Sequence, residues 1–181
     1  MLNERELGQY LADHFHRAAF RLEVRDAYAV ASDGGDFARY LAGEPAPDAD
    51  RKNAWLNRLR TEARAGKTRQ WVHVVHGPLS DYLRYEMEWS YLPNLQAGAQ
   101  VRILDLAEQP RPDGLVNEDF WLLDDQDALI MHYATDGRFL GAEPAKADRL
   151  DRYRRARDAA WGSGVPVSDY WAAHPQYHRA A

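Results

Sequence analysis

The chain has 181 residues, of which 45% are hydrophobic and 28% are charged, and this composition is typical of a folded globular protein. It contains no cysteine, which excludes a disulfide framework, thiolate metal sites and a cysteine nucleophile. The formal net charge of −5 argues against indiscriminate nucleic-acid binding, which requires a dense basic surface. A polar N-terminus and the lack of a long apolar run predict a cytoplasmic protein without a membrane span.

The first predicted element is an amphipathic helix over residues 3–19. Leu7 and Leu11 are one helical turn apart and belong to its apolar face. Asn3, followed three residues later by Glu6, has the spacing of a capping box, in which each side chain accepts a hydrogen bond from the other residue's backbone. The pattern therefore predicts a helix with a capped N-terminus.

The remaining elements follow from helical and strand periodicity and from turn-forming residues. Alternation of apolar and polar residues predicts strands over residues 20–24, 70–75, 101–104, 119–123, 129–133 and 138–142. Apolar stripes at helical spacing predict further helices over residues 37–41, 53–65, from Ser80 or Asp81 to about 91, and from 146 to about 161.

These elements predict an α/β (α+β) fold with a mixed sheet of about five strands flanked by helices. The strand over 70–75, the helix after it and the strand over 101–104 form a βαβ unit, and the last three strands form an antiparallel meander. We expect one domain over residues 1–181. Its parts would be an N-terminal helical part over about 1–66, a sheet-containing part over about 67–163 and a C-terminal tail over about 164–181.

The turn after the strand over 70–75 is the best-placed candidate for an anion site. In open α/β sheets, ligands bind beyond the carboxyl ends of strands and near helix N-termini, whose backbone amides favour anions. His76 and Ser80 are placed to supply a base and a donor, and Asp105 ends the next predicted strand. The plainer interpretation is that Ser80 or Asp81 only caps the helix and that His76 is an exposed loop residue.

The helix that follows this turn combines charged and aromatic residues. Arg84 and Glu86, with Asp119 from the meander, are candidates for binding an anionic ligand or for acid–base chemistry. His132 lies on a neighbouring predicted strand, and a histidine held by a carboxylate such as Asp119 is a recognised catalytic arrangement. A structural salt-bridge network and a hydrogen-bonded core histidine are the simpler explanations of the same residues.

The sequence predicts no metal site and no cofactor. His73 and His76 are three residues apart beside a strand, so their side chains tend toward opposite faces, and no phosphate-loop or dinucleotide glycine pattern is present. The C-terminal helix is rich in arginine, but pairs such as Asp151 and Arg155 at i,i+4 neutralise it locally. A solvated, salt-bridged helix is therefore favoured over one that contacts DNA, and a direct DNA binder with strongly salt-dependent affinity is the third possibility.

Six sequence segments carry a resemblance that covers most of the chain. They are Ala19–Glu23, Pro78–Glu86, Asp119–Asp125, Met131–Tyr133, Asp136–Glu143 and Tyr153–Asp158. In this order, over about residues 7–169, they resemble a widespread actinobacterial family known as domain of unknown function 6879. The resemblance implies a regulatory partner, because family members often accompany helix-turn-helix regulators.

A second resemblance concerns the order of the elements. The βαβ unit, the meander and the last helix together resemble one half of a phospholipase-D-type domain. The HxKxxxxD motif of those catalysts is missing, because Tyr133 and Ala134 follow His132 without a lysine in place. This resemblance implies a diverged or inactive version of that domain.

The leading hypothesis is a non-enzymatic regulatory or small-ligand-sensing domain that acts with a helix-turn-helix regulator and binds a small anionic ligand. The alternative is an enzyme acting on a small phosphorylated or nucleotide substrate, with His132 or His76 as the base and Arg84 as the anion clamp. The ligand-binding candidates are Ser80, Asp81, Arg84, His76 and Asp105, and the catalytic candidates are His132, Glu86 and Asp119.

Overall fold

The computed structural model describes residues 1–29 and 33–179. The strands in these ranges are β1 (Ala18–Glu23), β2 (Thr68–Val75), β3 (Gln100–Asp105), β4 (Phe120–Leu123), β5 (Asp127–Tyr133), β6 (Phe139–Pro144) and β7 (Val165–Pro166). The α-helices are α1 (Glu4–His14), α2 (Asp36–Leu41), α3 (Ala49–Arg64), α4 (Asp81–Tyr85), α5 (Leu92–Gln96), α6 (Leu150–Ser163) and α7 (Val167–Ala173). A π-helical segment (Glu86–Tyr91) joins α4 to α5. Within the described ranges, no helix has the length and apolar character needed to cross a membrane.

The strands form one mixed sheet in the order β6-β5-β4-β1-β2-β3-β7. β1, β2 and β3 are parallel, while β4, β5, β6 and β7 each pair antiparallel with a neighbour. The predicted βαβ unit (β2 to β3) and the predicted meander (β4 to β6) are both present. The predicted number of about five strands is wrong, because the sheet already has seven within the described residues. β7 consists of only Val165 and Pro166, which is too short for strand periodicity to reveal.

The N-terminal helix starts where the sequence predicted and ends earlier. Asn3 and Glu6 form both hydrogen bonds of the capping box, at 2.9 and 3.0 Å. The helix was predicted to reach Ala19 but stops at His14, since the chain must straighten to enter β1. The carboxylate of Asp124 accepts hydrogen bonds from three backbone amides of this connection, at residues 16, 17 and 18. A distant residue therefore sets the helix end, and no local signal shows it.

The two faces of the sheet are covered by different helices. On one face, Phe20 and Leu22 of β1 pack with apolar residues of the neighbouring strands under α6, in a continuous apolar core. On the other face, α3, α4, the π-helical segment and α7 cover β2 and β3, and α1 covers part of β1, β4 and β5. Because side chains alternate along a strand, Arg21 and Glu23 point toward this second face.

Candidate functional site

A cleft of about 420 Å³ opens on the second face, between α1 and the helices from α3 to α5. Arg21 and Glu23 of β1, Trp71 of β2 and Trp121 of β4 belong to its floor, and Glu86 belongs to its wall. The volume lies within the range of about 300–1,000 Å³ that is usual for small-molecule sites.

The strand register brings the floor residues side by side. Arg21 is the partner of Trp71 in the parallel pair and of Trp121 in the antiparallel pair. Glu23 is the partner of His73 on β2. The central position of β1, between β4 and β2, thus places its two charged side chains under the middle of the cleft.

Arg21 is a buried guanidinium with incomplete hydrogen bonding. Its side chain is 3% exposed, its Nη2 donates to the Tyr133 hydroxyl at 3.1 Å, and its Nε lies 3.4 Å from Glu23. Asp119 lies 4.0 Å from Nη2 and offers a third partner. Nη1 is buried and has no hydrogen-bond partner among the described residues. A buried donor left unsatisfied is costly and therefore points to an acceptor from outside the protein.

Asp119 is held in position beside Arg21 by two hydrogen bonds. Its Oδ1 accepts hydrogen bonds from the Val24 backbone amide and the Tyr28 hydroxyl, both at 2.8 Å. Burial raises the pKa of the Asp119 carboxyl, and the nearby Arg21 charge opposes that rise. The same burial raises the pKa of Tyr28 well above its ordinary value, so the tyrosine stays a donor.

His73, Tyr91 and Glu23 form a hydrogen-bonded chain that ends in the cleft. Nε2 of His73 lies 2.8 Å from the Arg25 carbonyl oxygen, which only accepts, so this nitrogen carries a proton. The Tyr91 hydroxyl lies 2.6 Å from Nδ1 of His73 and 2.5 Å from Oε2 of Glu23. These three polar groups follow one another from the interior of the sheet to the cleft, and the Tyr91 hydroxyl lies within hydrogen-bonding distance of both of its neighbours.

Two further carboxyl groups reach the cleft, Glu86 and Asp33. Burial, followed by repulsion from Glu23 and Asp33, raises the pKa of Glu86 to about 8. Burial also raises the pKa of Asp33 to about 6, although the Tyr82 hydroxyl donates to it at 3.4 Å. Burial lowers the pKa of Lys52 on α3, whose charge acts on both carboxyl groups. Near neutral pH the cleft thus holds protons that a charged ligand can displace.

Aromatic side chains form much of the remaining surface. The Trp71 and Trp121 rings meet edge to face with centroids 5.9 Å apart. The Trp55 indole is held by a 2.9 Å hydrogen bond from its Nε1 to Asn94, and both residues line the cleft. Such rings provide flat apolar surfaces whose faces attract cations.

The π-helical segment changes which residues of the middle helix face the cleft. A regular α-helix would place Tyr82, Glu86 and Trp89 on one face. The wider π turn instead brings Ser90 and Tyr91 to the cleft beside Tyr82 and Glu86. Trp89 packs against Tyr40, with ring centroids 5.3 Å apart. π turns inside helices are frequent at functional sites.

The residues predicted at the turn before α4 lie apart from the cleft floor. Ser80 caps α4 by accepting from the Leu83 amide at 3.2 Å, and its hydroxyl donates to the Asp26 carbonyl oxygen at 2.8 Å. His76 is exposed. Asp105 is buried and accepts a 2.7 Å hydrogen bond from the Tyr170 hydroxyl of α7.

The other predicted residues divide between the cleft and the surface. Glu86 lines the cleft, and Asp119 lies behind Arg21. Arg84 lies 3.5 Å from the exposed Asp81, and it is itself half-buried, with a buried Nε that has no hydrogen-bond partner among the described residues. His132 lies 3.3 Å from Glu143 of β6. Within residues 1–29 and 33–179, no three His, Asp or Glu side chains come together as a metal-binding group.

The sequence analysis missed Arg21, Glu23 and Tyr91 as residues of the cleft, and His73 as the buried residue behind Tyr91. Their separation along the chain hides their contact, because Glu23 and Tyr91 are 68 residues apart. One signal was available. Arg21 and Glu23 alternate with apolar residues in the predicted strand over 20–24. A strand that joins a parallel sheet is usually buried on both faces. A charged pair on a central strand is buried and must find partners.

The comparisons with known proteins give a family and no activity. The family model described as "Domain of unknown function (DUF6879)" matches residues 5–172. A search among curated proteins finds no match to the chain. The matched range includes every residue of the cleft floor and wall except Glu4 at its mouth.

Proposed function

Because the chain belongs to the DUF6879 family, whose description names no activity, we propose from the cleft itself that the protein binds a small organic ligand. The observation that carries the proposal is Arg21, a guanidinium that is 3% exposed, lines the cleft and keeps Nη1 without a hydrogen-bond partner among the described residues. A ligand oxygen at Nη1 would satisfy it. The aromatic surfaces beside it would hold the body of the ligand.

Two glycines allow the proposal to be tested with a matched pair of variants. Gly8 of α1 lines the cleft, and a Cβ placed there meets no atom within 4 Å. Gly162 of α6 is equally open, is exposed, and belongs to the other face of the sheet. Gly8→Phe would fill the mouth of the cleft, whereas Gly162→Phe would add the same ring elsewhere.

The measurement is thermal denaturation of the full chain against a library of small metabolites of mixed charge. A ligand present at 100 times its dissociation constant stabilises the folded state by about 2.7 kcal/mol, which is readily seen as a rise in Tm. We expect at least one compound to raise the Tm of the parent protein and of Gly162→Phe, and not that of Gly8→Phe. If no compound shows this pattern, the proposal fails.

The proposal includes a regulatory role in the cytoplasm, together with a helix-turn-helix partner. Its support is the resemblance of the sequence to a family whose members accompany such regulators, together with a cleft suited to sensing. Co-purification of the protein with the regulator encoded beside it, with and without a cleft ligand, tests this part. Failure to associate in both conditions would remove the partner and leave the ligand site.

A second candidate function is acid–base catalysis, and the chain from His73 through Tyr91 to Glu23 favours it. This chain brings a transferable proton to the floor of the cleft. Among the described residues that line the cleft, carboxyl groups outnumber cations, which argues against a phosphorylated substrate. Turnover of any substrate that is lost in Tyr91→Phe, while ligand binding is retained, would favour an enzyme over a sensor.

A further inference from the structure

The charged residues of the cleft indicate what kind of ligand it binds, and this inference rests on the proposed function. Four carboxyl groups line the cleft, those of Glu4, Glu23, Asp33 and Glu86, against the single guanidinium of Arg21. Arg21 is already neutralised within the protein, since Glu23 and Asp119 lie 3.4 and 4.0 Å from it. With Glu23 paired to Arg21, the carboxyl groups of Glu4, Asp33 and Glu86 remain for a ligand, and this surface becomes more acidic as Asp33 and then Glu86 lose their protons, at about pH 6 and about pH 8.

The acidic groups come from three separate elements and meet over one space. Glu86 begins the π-helical segment and is repelled by Glu23 of β1 and by Asp33, which precedes α2. Lys52 of α3 and the Tyr82 hydroxyl of α4 act on Glu86 in the opposite direction. Like charges brought together in a cleft are relieved by a cation between them.

The aromatic walls suit the same kind of ligand. Trp55, Trp71 and Trp121 line the cleft together with Tyr82. A cation within about 6 Å of such a ring is attracted by its π face, and the attraction grows when water is excluded. The Arg21 Nη1 donor adds a requirement for an acceptor oxygen on the body of the ligand.

We infer that the ligand is a small primary amine with an aromatic body and an acceptor oxygen. Its ammonium group donates to the carboxylates of Glu86 and Asp33, its ring lies among the indoles, and its oxygen accepts from Arg21. Carboxylates supply the charge-assisted hydrogen bonds that an ammonium group prefers.

Three compounds that share a phenol ring and a two-carbon arm test this inference. Tyramine ends in an ammonium group, tyrosol in a hydroxyl group and 4-hydroxyphenylacetate in a carboxylate. Calorimetry on the full chain near pH 8 is expected to show tyramine binding at least roughly tenfold more tightly than tyrosol, with no detectable binding of the anion at millimolar concentration.

Two carboxylate variants show which charge is responsible. Glu86→Gln is expected to weaken tyramine at least roughly tenfold and to leave tyrosol unchanged. Asp81→Asn removes an exposed charge from the adjoining α4 and should change neither affinity. Tyramine affinity should also rise between about pH 6 and about pH 8 in the parent protein, because Glu86 must lose its proton to pair with the ammonium. In Glu86→Gln the rise should shrink to the small part that Asp33 contributes near its pKa of about 6.

The possible results distinguish two failures: a wrong class of ligand, and the absence of any ligand site in the cleft. Equal or tighter binding of tyrosol or of the anion, tyramine binding that survives Gly8→Phe, or no tyramine binding at millimolar concentration each overturns the inference. The proposed function still stands in those cases if another compound binds the parent protein and Gly162→Phe but not Gly8→Phe. If no compound does so, both fail.

Discussion

The two faces of the sheet bury the same strands against different kinds of surface. Under α6, Phe20 and Leu22 of β1 lie in a continuous apolar core, with Phe120 and Tyr153 in contact at a centroid distance of 4.9 Å. On the opposite face, the alternate residue Arg21 is buried among carboxylates and tyrosines beside an open cleft. Close packing supplies stability on the α6 face, while the cleft face keeps charges whose desolvation must be offset by pairing.

The largest expected effect lies on the α6 face. Phe120 is completely buried, so Phe120→Ala should lower the free energy of unfolding by about 4 kcal/mol through lost burial and the cavity left behind. Urea denaturation followed by circular dichroism measures the change, with the exposed Leu140 of β6 replaced by alanine as the control. A loss below about 1 kcal/mol would show that this face is not the main source of stability.

The next effect concerns the buried charges of the cleft face. Arg21→Met leaves Glu23 and Asp119 without their shared cation and should cost about 3 kcal/mol at neutral pH. Part of this loss should return at about pH 5, because Asp119, whose pKa is already raised by burial, can then take up a proton in the folded state. Arg138→Met, at an exposed arginine, is the matched control. A cost that does not depend on pH would contradict the assigned role of Arg21.

Glu86 should give the cleft face a pH dependence that the α6 face lacks. Its pKa of about 8 in the folded protein exceeds its ordinary value of 4.5, so between these pH values the folded state binds more protons than the unfolded chain. Unfolding free energy should therefore fall as pH rises from about 4.5 to about 8 and level off above that pH. Glu86→Gln should flatten this fall by roughly 1–3 kcal/mol, after allowance for water in the cleft. Denaturant titrations from pH 6 to pH 9 measure the unfolding free energy, with Asp81→Asn as the control. An equal fall in the parent protein and in Glu86→Gln would contradict the prediction.

The smallest effect is expected outside both faces. His76 is exposed in the loop before α4, so His76→Ala should change the free energy of unfolding by less than about 0.5 kcal/mol and leave binding in the cleft intact. Loss of cleft binding in this variant would extend the site to the turn that the sequence analysis selected. The same urea and thermal measurements apply.

Local chemistry determined much of the architecture. The capping box at Asn3, the cap at Ser80 and the meander follow from contacts between residues close in sequence, and the βαβ unit joins two strands that are consecutive along the chain. Such contacts compete mainly with local alternatives, so their patterns can be read from the chain. The end of α1 and the presence of β7 could not be read this way, since Asp124 and β3 supply the partners.

The candidate site depended on tertiary structure far more. The sequence showed that Arg21 and Glu23 share one face of a strand, and it selected Glu86 and Asp119 as chemically interesting. Only the packing decided that this face is buried, because β1 enters the sheet between β4 and β2 and α1 folds over it. The same packing brings Tyr91 from a π turn onto Glu23. Burial turns ordinary charged residues into a site, and burial is a property of the whole fold.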